Sequence, residues 1–267
     1  MSEWPVHPES LWELIQQEAQ EETKREPALS SFFHASIICH SGLCAAVSYL
    51  LASKLSDDVM PAVALRELID EALNADKSIM DSICHDLVAV RTRDPAIGKF
   101  TIVLLYLKGF HALQAYRIAH WMWLQGRESL ALYLQSRISS VFQVDIHPAA
   151  KIGKGVMFDH ATGIVIGETC VIENDVSILQ SVTLGGTGKE CGDRHPKIRE
   201  GVMIAAGAKI FGNLEIGKGA KVGGGSVVLD NVPPHTTVVG VPAKVVGRPE
   251  AAKPALDMDQ NVHHDEN

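Results

Sequence analysis

Two hydrophobic patterns follow one another along the chain. Through residues 1–140 the apolar positions recur three and four apart, the spacing of a helix with one buried face. Leu11, Leu14, Ile15 and Ala19 form one such stripe. The stretch "SLWE" at 10–13 reads as a capping box, with Ser10 as the cap and Glu13 reaching back to it. Further helices are expected at 28–38, 42–55, 60–74 and 77–91, punctuated by Pro27, Gly42, Pro61 and Asp76. The segment 101–140 is long and apolar, with Gly109 and Gly126 as its weak points.

From residue 144 the period changes to six. Ile146, Ile152, Phe158 and Ile164 are six apart, as are Ile166, Ile172, Ile178 and Leu184. So are Ile198, Ile204, Ile210, Ile216, Val222 and Val228. Small residues and glycine surround these positions, as in "IGKGVM", "IGETCV" and "VGGGSV". This fits a solenoid in which three hexapeptides make one triangular coil, with aliphatic side chains stacked inward and small residues at the corners. The beat slips twice. Two residues are added near 164–166, in the irregular stretch "DHATGIVIG" (159–167), and eight between Leu184 and Ile198, where "GGTGKECGDRHP" reads as an extruded loop. The expected fold class is therefore α+β. An all-helical domain (1–140) precedes a parallel β-helix of hexapeptide repeats with one extruded loop (141–249), and a polar, flexible tail follows from about 250.

Composition narrows the function. A formal charge of −8 argues against a general nucleic-acid surface, which needs basic residues. The longest apolar run, "TIVLLYL" at 101–107, is far short of the roughly 20 residues of a membrane span. No secretory signal is visible at the N-terminus. Five scattered cysteines without a C-x-x-C pair read as reduced thiols in a cytoplasmic protein.

The repeat alone does not fix an activity, since many acyltransferases share it. Several stretches are more specific: "VDIHPAAKIGKGVMFDHATGIVIGE" (144–168), "VSILQSVTLGGTG" (176–188), "GDRHPKI" (192–198) and "GVPAKVVG" (240–247). In the helical half, so are "AVRTRDPA" (89–96) and "LLYLKGFHALQAYRIAHW" (104–121). Together they resemble the bacterial serine O-acetyltransferase family over roughly residues 10–247. That resemblance implies a left-handed β-helix, an assembly as a trimer or dimer of trimers, and active sites between neighbouring β-helices. It also implies transfer of acetyl from acetyl-CoA to L-serine, with no metal, as the first step from serine toward cysteine.

The resemblance places the general base at His160 and its orienting acid at Asp145. Histidine suits the task because its unperturbed pKa is about 6.5, and a carboxylate on one ring nitrogen would fix the tautomer. The two are fifteen residues apart against a coil of eighteen, so they are not stacked in an ideal solenoid. The substrate is a zwitterion. The resemblance assigns its ammonium to Asp94 and Asp159, while Arg194 offers a fork for its carboxylate, with His195 alongside. "LGGTGK" (184–189) is a source of backbone donors for the oxyanion, Gly186 first. Candidate CoA contacts are Gly186, Thr187, Ala206, Gly207, Lys221, Gly224, Lys244 and Arg248. L-cysteine is the expected feedback inhibitor. The family also binds O-acetylserine sulfhydrylase through a tail ending in isoleucine; the ending "NVHHDEN" lacks one, which argues against that partner.

Three rival readings remain at this level. An acyltransferase for another acceptor, such as a sugar, would not need paired opposite charges. A γ-type zinc carbonic anhydrase would need three converging histidines, and His147, His160 and His195 are those available in the repeat region. A non-catalytic scaffold would need none of these groups.

Overall fold

A computed structural model describes residue 4, residues 6–188 and residues 191–262. Lys189 and the ending from His263 onward therefore lie outside the described residues. The helices are α1 (Pro8–Arg25), α2 (Ser30–Phe33), α3 (Leu43–Leu55), α4 (Ala62–Ala75), α5 (Lys77–Arg93), α6 (Phe100–Tyr106), α7 (Lys108–Leu124) and α8 (Glu128–Phe142). A short α9 (Pro254–Asp257) comes near the C-terminus. No single helix among the described residues is long and apolar enough to cross a membrane.

The expected start at Ser10 is corrected. The first helix begins at Pro8 with His7 as its cap, and no side chain caps it. Proline's fixed φ favours the first helical position and its missing N–H costs nothing there, so Pro8 overrides the Ser10 signal. Pro27 opens a 3-10 turn, and Gly42, Pro61 and Asp76 stand as N-caps of α3, α4 and α5. The long apolar segment breaks at extended Leu107, not at Gly109, and again at Gly126, whose φ is +74°.

After α8 the chain turns through left-handed Gln143 into fifteen short strands among the described residues. In chain order these are β1 (Val144–Ile146), β2 (Lys151–Ile152), β3 (Met157–Phe158), β4 (Ile164–Ile166), β5 (Val171–Ile172), β6 (Ser177–Ile178) and β7 (Thr183–Gly185). They continue with β8 (Lys197–Ile198), β9 (Met203–Ile204), β10 (Lys209–Phe211), β11 (Glu215–Ile216) and β12 (Lys221–Val222). The last are β13 (Val227–Val228), β14 (Thr237–Gly240) and β15 (Ala243–Gly247). They form three parallel faces: β1-β4-β7-β10-β13, then β2-β5-β8-β11, then β3-β6-β9-β12-β14, with antiparallel β15 closing the third. The periodic residues stack as expected. Ile146, Ile166, Leu184, Ile210 and Val228 line the first face. Phe158, Ile178, Ile204, Val222 and Val238 line the third. Each buried side chain of this size contributes roughly 1.5–3 kcal/mol.

Register locates both slips. Met157 pairs with Ser177, twenty residues on, whereas Val165 pairs with Thr183, eighteen on. The two extra residues thus fall between Phe158 and Ile164, within "DHATG", and not at 164–166. Leu184 pairs with Ile210, twenty-six on, so the eight-residue excess leaves the coil between Gly185 and Lys197.

The tail departs from the flexible, polar expectation. Residues 250–262 cross the third face, with Ala255 wholly buried against Leu179, Met203 and Met258. Lys253 bonds Asp175 and Glu200. A few apolar residues and one paired lysine suffice to dock a short segment on an existing face.

A buried ion pair joins the two domains. Asp86 of α5 accepts from Arg117 Nη2 at 2.7 Å, from Gln114 and from the Val156 N–H. Arg117 also donates to the carbonyls of Ile152 and Gly153. Removing one member of such a pair strands a buried charge. We expect Arg117→Met to lower unfolding free energy by about 3–5 kcal/mol, read by urea denaturation, and Asp86→Leu in the same chain to recover part of that loss. An unchanged midpoint for the single variant would show that the pair does not clamp the domains.

Candidate active site

The first face ends in two different corners. Where the third face turns into the first, coil after coil uses left-handed backbone: His160, Ala161 and Gly163, then Ser181, Gly207 and Gly225. The two-residue excess widens this corner in the first coil alone. Ala161 N–H bonds the Asp159 carbonyl, Thr162 N–H the His160 carbonyl, and Gly163 N–H the Gln143 carbonyl. The excess is thereby a small hydrogen-bonded knuckle that turns His160 outward, its side chain 75% exposed. Lys108 at the start of α7 bonds the Thr162 hydroxyl. Gly109 lies so close that an added Cβ would sit 2.2 Å from the Phe158 carbonyl oxygen. The helical domain is thus pressed against the knuckle at a point that only glycine allows.

Asp94 and Asp159 are brought near each other here. Asp94 caps α5, and its Oδ1 accepts from the Ala96 N–H at 2.8 Å. Burial raises the Asp159 carboxyl above its ordinary value and the negative charge of Asp94 adds to that, while His160, 3.9 Å away, opposes it. Two acids held together in this way gain from a cation placed between them.

The other end of the first face, where it turns into the second, is different. Thr169 is the joint. Its hydroxyl accepts from the backbone N–H groups of Arg194 and His195 and faces His195 Nδ1 at 2.9 Å. Its own N–H points at the same Nδ1 at 3.2 Å. The Nδ1 is therefore an acceptor, which leaves the proton on Nε2, the atom 3.4 Å from where a Gly186 Cβ would stand. Burial and the Arg194 charge hold the His195 imidazole below its ordinary value. Arg194 bonds Glu168 at 2.6 Å, and that bond keeps the Glu168 carboxyl low. The Gly186 N–H makes no hydrogen bond among the described residues. Glu168 and Thr169 were not singled out from sequence; they precede their partners by 26 residues, across the extruded loop.

The remaining candidates scatter. Asp145 lies on β1 between the two corners, its Oδ1 accepting from Gln135 at 2.7 Å. No hydrogen bond or ion pair joins it to His160 among the described residues; the acid paired with His160 is Asp159. Ala206, Gly207 and Gly224 continue the His160 corner along the solenoid, where the Gly225 N–H bonds the Ala206 carbonyl. Thr187 is exposed on the extruded loop, and Lys244 and Arg248 are exposed on and after β15. Lys221, a candidate CoA contact, is instead covered. It is 4% exposed beneath the tail, with Nζ bonding the Asn261 carbonyl and standing 3.6 Å from Asp259. Among the described residues no three His, Cys, Asp or Glu side chains are grouped to hold a metal ion.

The chain resembles known proteins over nearly its whole length. Residues 11–115 match the family model described as serine acetyltransferase, N-terminal. The chain is 64% identical over 255 residues to serine acetyltransferase of Escherichia coli K12, covering 96% of this chain and 93% of that one. The crystal structure of serine acetyltransferase from Vibrio cholerae superposes with a TM-score of 0.94 at 63% identity, covering 96% and 99% of the two chains. A serine acetyltransferase complexed with cysteine gives 0.93 at 62% identity, covering 95% and 98%. One complexed with CoA gives 0.87 at 61%, covering 90% and 100%.

Two substitutions test the geometry. Gly109→Ala must push the knuckle away and is expected to lower acetyltransferase activity while α7 stays helical by circular dichroism. Thr169→Val removes the joint under Arg194 and His195 and is expected to weaken binding of an anionic ligand there by about tenfold, the order of one or two lost buried hydrogen bonds. Wild-type behaviour in both would show that neither contact sets the site.

Proposed function

The chain belongs to the serine acetyltransferase family, and from that premise we propose how it moves the acetyl group of acetyl-CoA directly to the hydroxyl of L-serine. The observation that carries the reading is the separation of charge along the first face. One corner holds two acids beside an exposed histidine; the other holds Arg194 and the Nε2–H of His195. A free amino acid needs both poles. Within one chain they are separated by the length of β4, about 10 Å for three residues. The proposal is therefore that one chain's anionic corner faces the cationic corner of a neighbouring copy, with the substrate between them.

In this arrangement Asp94 and Asp159 receive the ammonium, and Arg194 exchanges Glu168 for the substrate carboxylate, assisted by His195. His160 takes the hydroxyl proton as the serine oxygen attacks the thioester carbonyl. The Gly186 N–H donates to the oxyanion so formed. When the C–S bond breaks, His160 returns its proton to the CoA sulfur, so no acyl group rests on the protein. Asp145 is assigned to orient the imidazole: Gln135 holds its Oδ1, leaving Oδ2 as an acceptor. The row of small residues Ala206, Gly207 and Gly224 fits CoA because no side chain bars its approach to the backbone. Gly186, Thr187, Lys244 and Arg248 are further proposed contacts. L-cysteine carries the same two charged groups as serine, and we place it in the same site as a competitive inhibitor. The product feeds cysteine formation.

CoA release with L-serine, homoserine and a sugar as alternative acceptors tests the reading. Serine is expected to be preferred, and His160→Ala to lose about 10²–10⁴-fold in turnover. Serine-independent release, or full activity in His160→Ala, would contradict it. The pH dependence has a definite sign. Because the Asp159 carboxyl is raised, it gains a proton at a pH above the usual aspartate range as acidity increases. The ammonium site then loses charge, so the KM for serine should climb as pH falls through that range. Asp159→Asn should show a high, flat KM there instead.

A further inference from the structure

Arg93 is the last residue of α5 and immediately precedes Asp94. It is 6% exposed, and its Nε is buried without a partner among the described residues. Its Nη1 donates to the Val176 carbonyl at 3.3 Å and the Ser177 hydroxyl at 3.0 Å, and its Nη2 stands 3.5 Å from Asp175 Oδ1. These residues lead into β6, whose Ile178 carbonyl accepts the Asp159 N–H at 2.9 Å. One strand therefore holds both acids of the anionic corner. Asp159 is held through the backbone, and Asp94 through the side chain of its neighbour.

The C-terminal segment grips the same two residues from the other side. Lys253 Nζ bonds Asp175 Oδ2 at 2.8 Å and Glu200 Oε1 at 2.5 Å. The Ser177 hydroxyl accepts from Arg93 and donates its own proton to the Ala255 carbonyl at 2.8 Å. Asp175 is thus shared between two cations and Ser177 between a donor and an acceptor. A cavity of about 480 Å³ beside them, lined by Thr92, Arg93, Asp175, Lys253 and Leu256 among others, gives these side chains room to turn away.

We propose that Arg93 is a positioning residue for Asp94, and that segment 253–258, by completing the partners of Asp175 and Ser177, tunes how tightly the site holds its amino-acid substrate. The inference rests on the serine reading above. Without Lys253 the Asp175 carboxylate is free to swing into the cavity and Arg93 loses its only ion partner among the described residues. A buried guanidinium deprived of its nearest counter-charge is costly, so the last turn of α5 relaxes toward solvent and carries Asp94 with it. Asp94 belongs to the ammonium half of the site, so the effect should fall on the amino acid and spare the thioester.

The test is steady-state kinetics on the full chain. Lys253→Met should raise the KM for L-serine about three- to tenfold, with the KM for acetyl-CoA unchanged. Lys253→Arg should behave as wild type. In an Arg93→Lys background, where serine KM is already raised, Lys253→Met should add little, since coupled residues are not additive. An unchanged serine KM in Lys253→Met, an equal rise in both KM values, or full additivity with Arg93→Lys would overturn the proposal. A wild-type chain that releases no CoA with serine would instead remove the serine reading, and this inference with it.

Discussion

Each coil of the solenoid is bound to the next by backbone N–H groups that find no acceptor within their own coil. Met157 reaches Val176, Thr183 reaches Ala208 and Lys209 reaches Ser226. This ladder is the constraint on everything else. An unpaired buried N–H is costly, so the strands hold register and any surplus residue must leave at a corner. The protein uses that rule twice. Two surplus residues become the knuckle that presents His160. Eight become the loop that returns with Arg194 and His195. Both irregularities flank the same face, so a rigid scaffold carries unlike chemistry on its two sides.

The helical domain is fitted to this scaffold at the places that matter for the first corner. Gly109 brings α7 onto the Phe158 carbonyl, and Lys108 ties down Thr162. Asp86 with Arg117 fixes α5 and α7 to the turn between β2 and β3 of the first coil, and Arg93 anchors the end of α5 on β6. Asp94, far away in sequence, thereby meets Asp159. The cost is two buried guanidinium groups, each met partly by a carboxylate and partly by solenoid carbonyls, those of Ile152 and Gly153 for Arg117 and that of Val176 for Arg93. The joint between domains is thus specific, since a carbonyl array accepts an arginine fork only in the correct register.

Much of this was legible in the sequence because aliphatic side chains must point inward once per hexapeptide. The stacks on all three faces follow from that. The slip near "DHATG" was visible but displaced, and the reason is physical. Ile164 and Ile166 are both buried on β4, so a six-residue step from Phe158 to Ile164 appears to continue the beat. Ser10 misled because Pro8 acts two residues earlier. The tail misled because the apolar residues of "AAKPALDM" are mostly small alanines beside a polar ending, yet a preformed face needs little to hold it. Lys221 read as a candidate CoA contact because nothing local marks a lysine that a distant segment will cover. His160, Arg194 and the paired aspartates acquired roles only through the family motif, since each alone reads as an ordinary surface group. Glu168 and Thr169 were out of reach, being joined to the loop only after the solenoid closes.

The central claim is that the anionic corner of one chain and the cationic corner of another make one site. Mixing subunits tests it directly. His160→Ala and Arg194→Ala chains, each inactive at low serine, would be co-assembled in equal amounts. If the halves come from different copies, some interfaces pair two intact corners, and about a quarter of the wild-type rate should return for random assembly. If both corners must come from the same chain, the mixed assembly would stay as inactive as its parts.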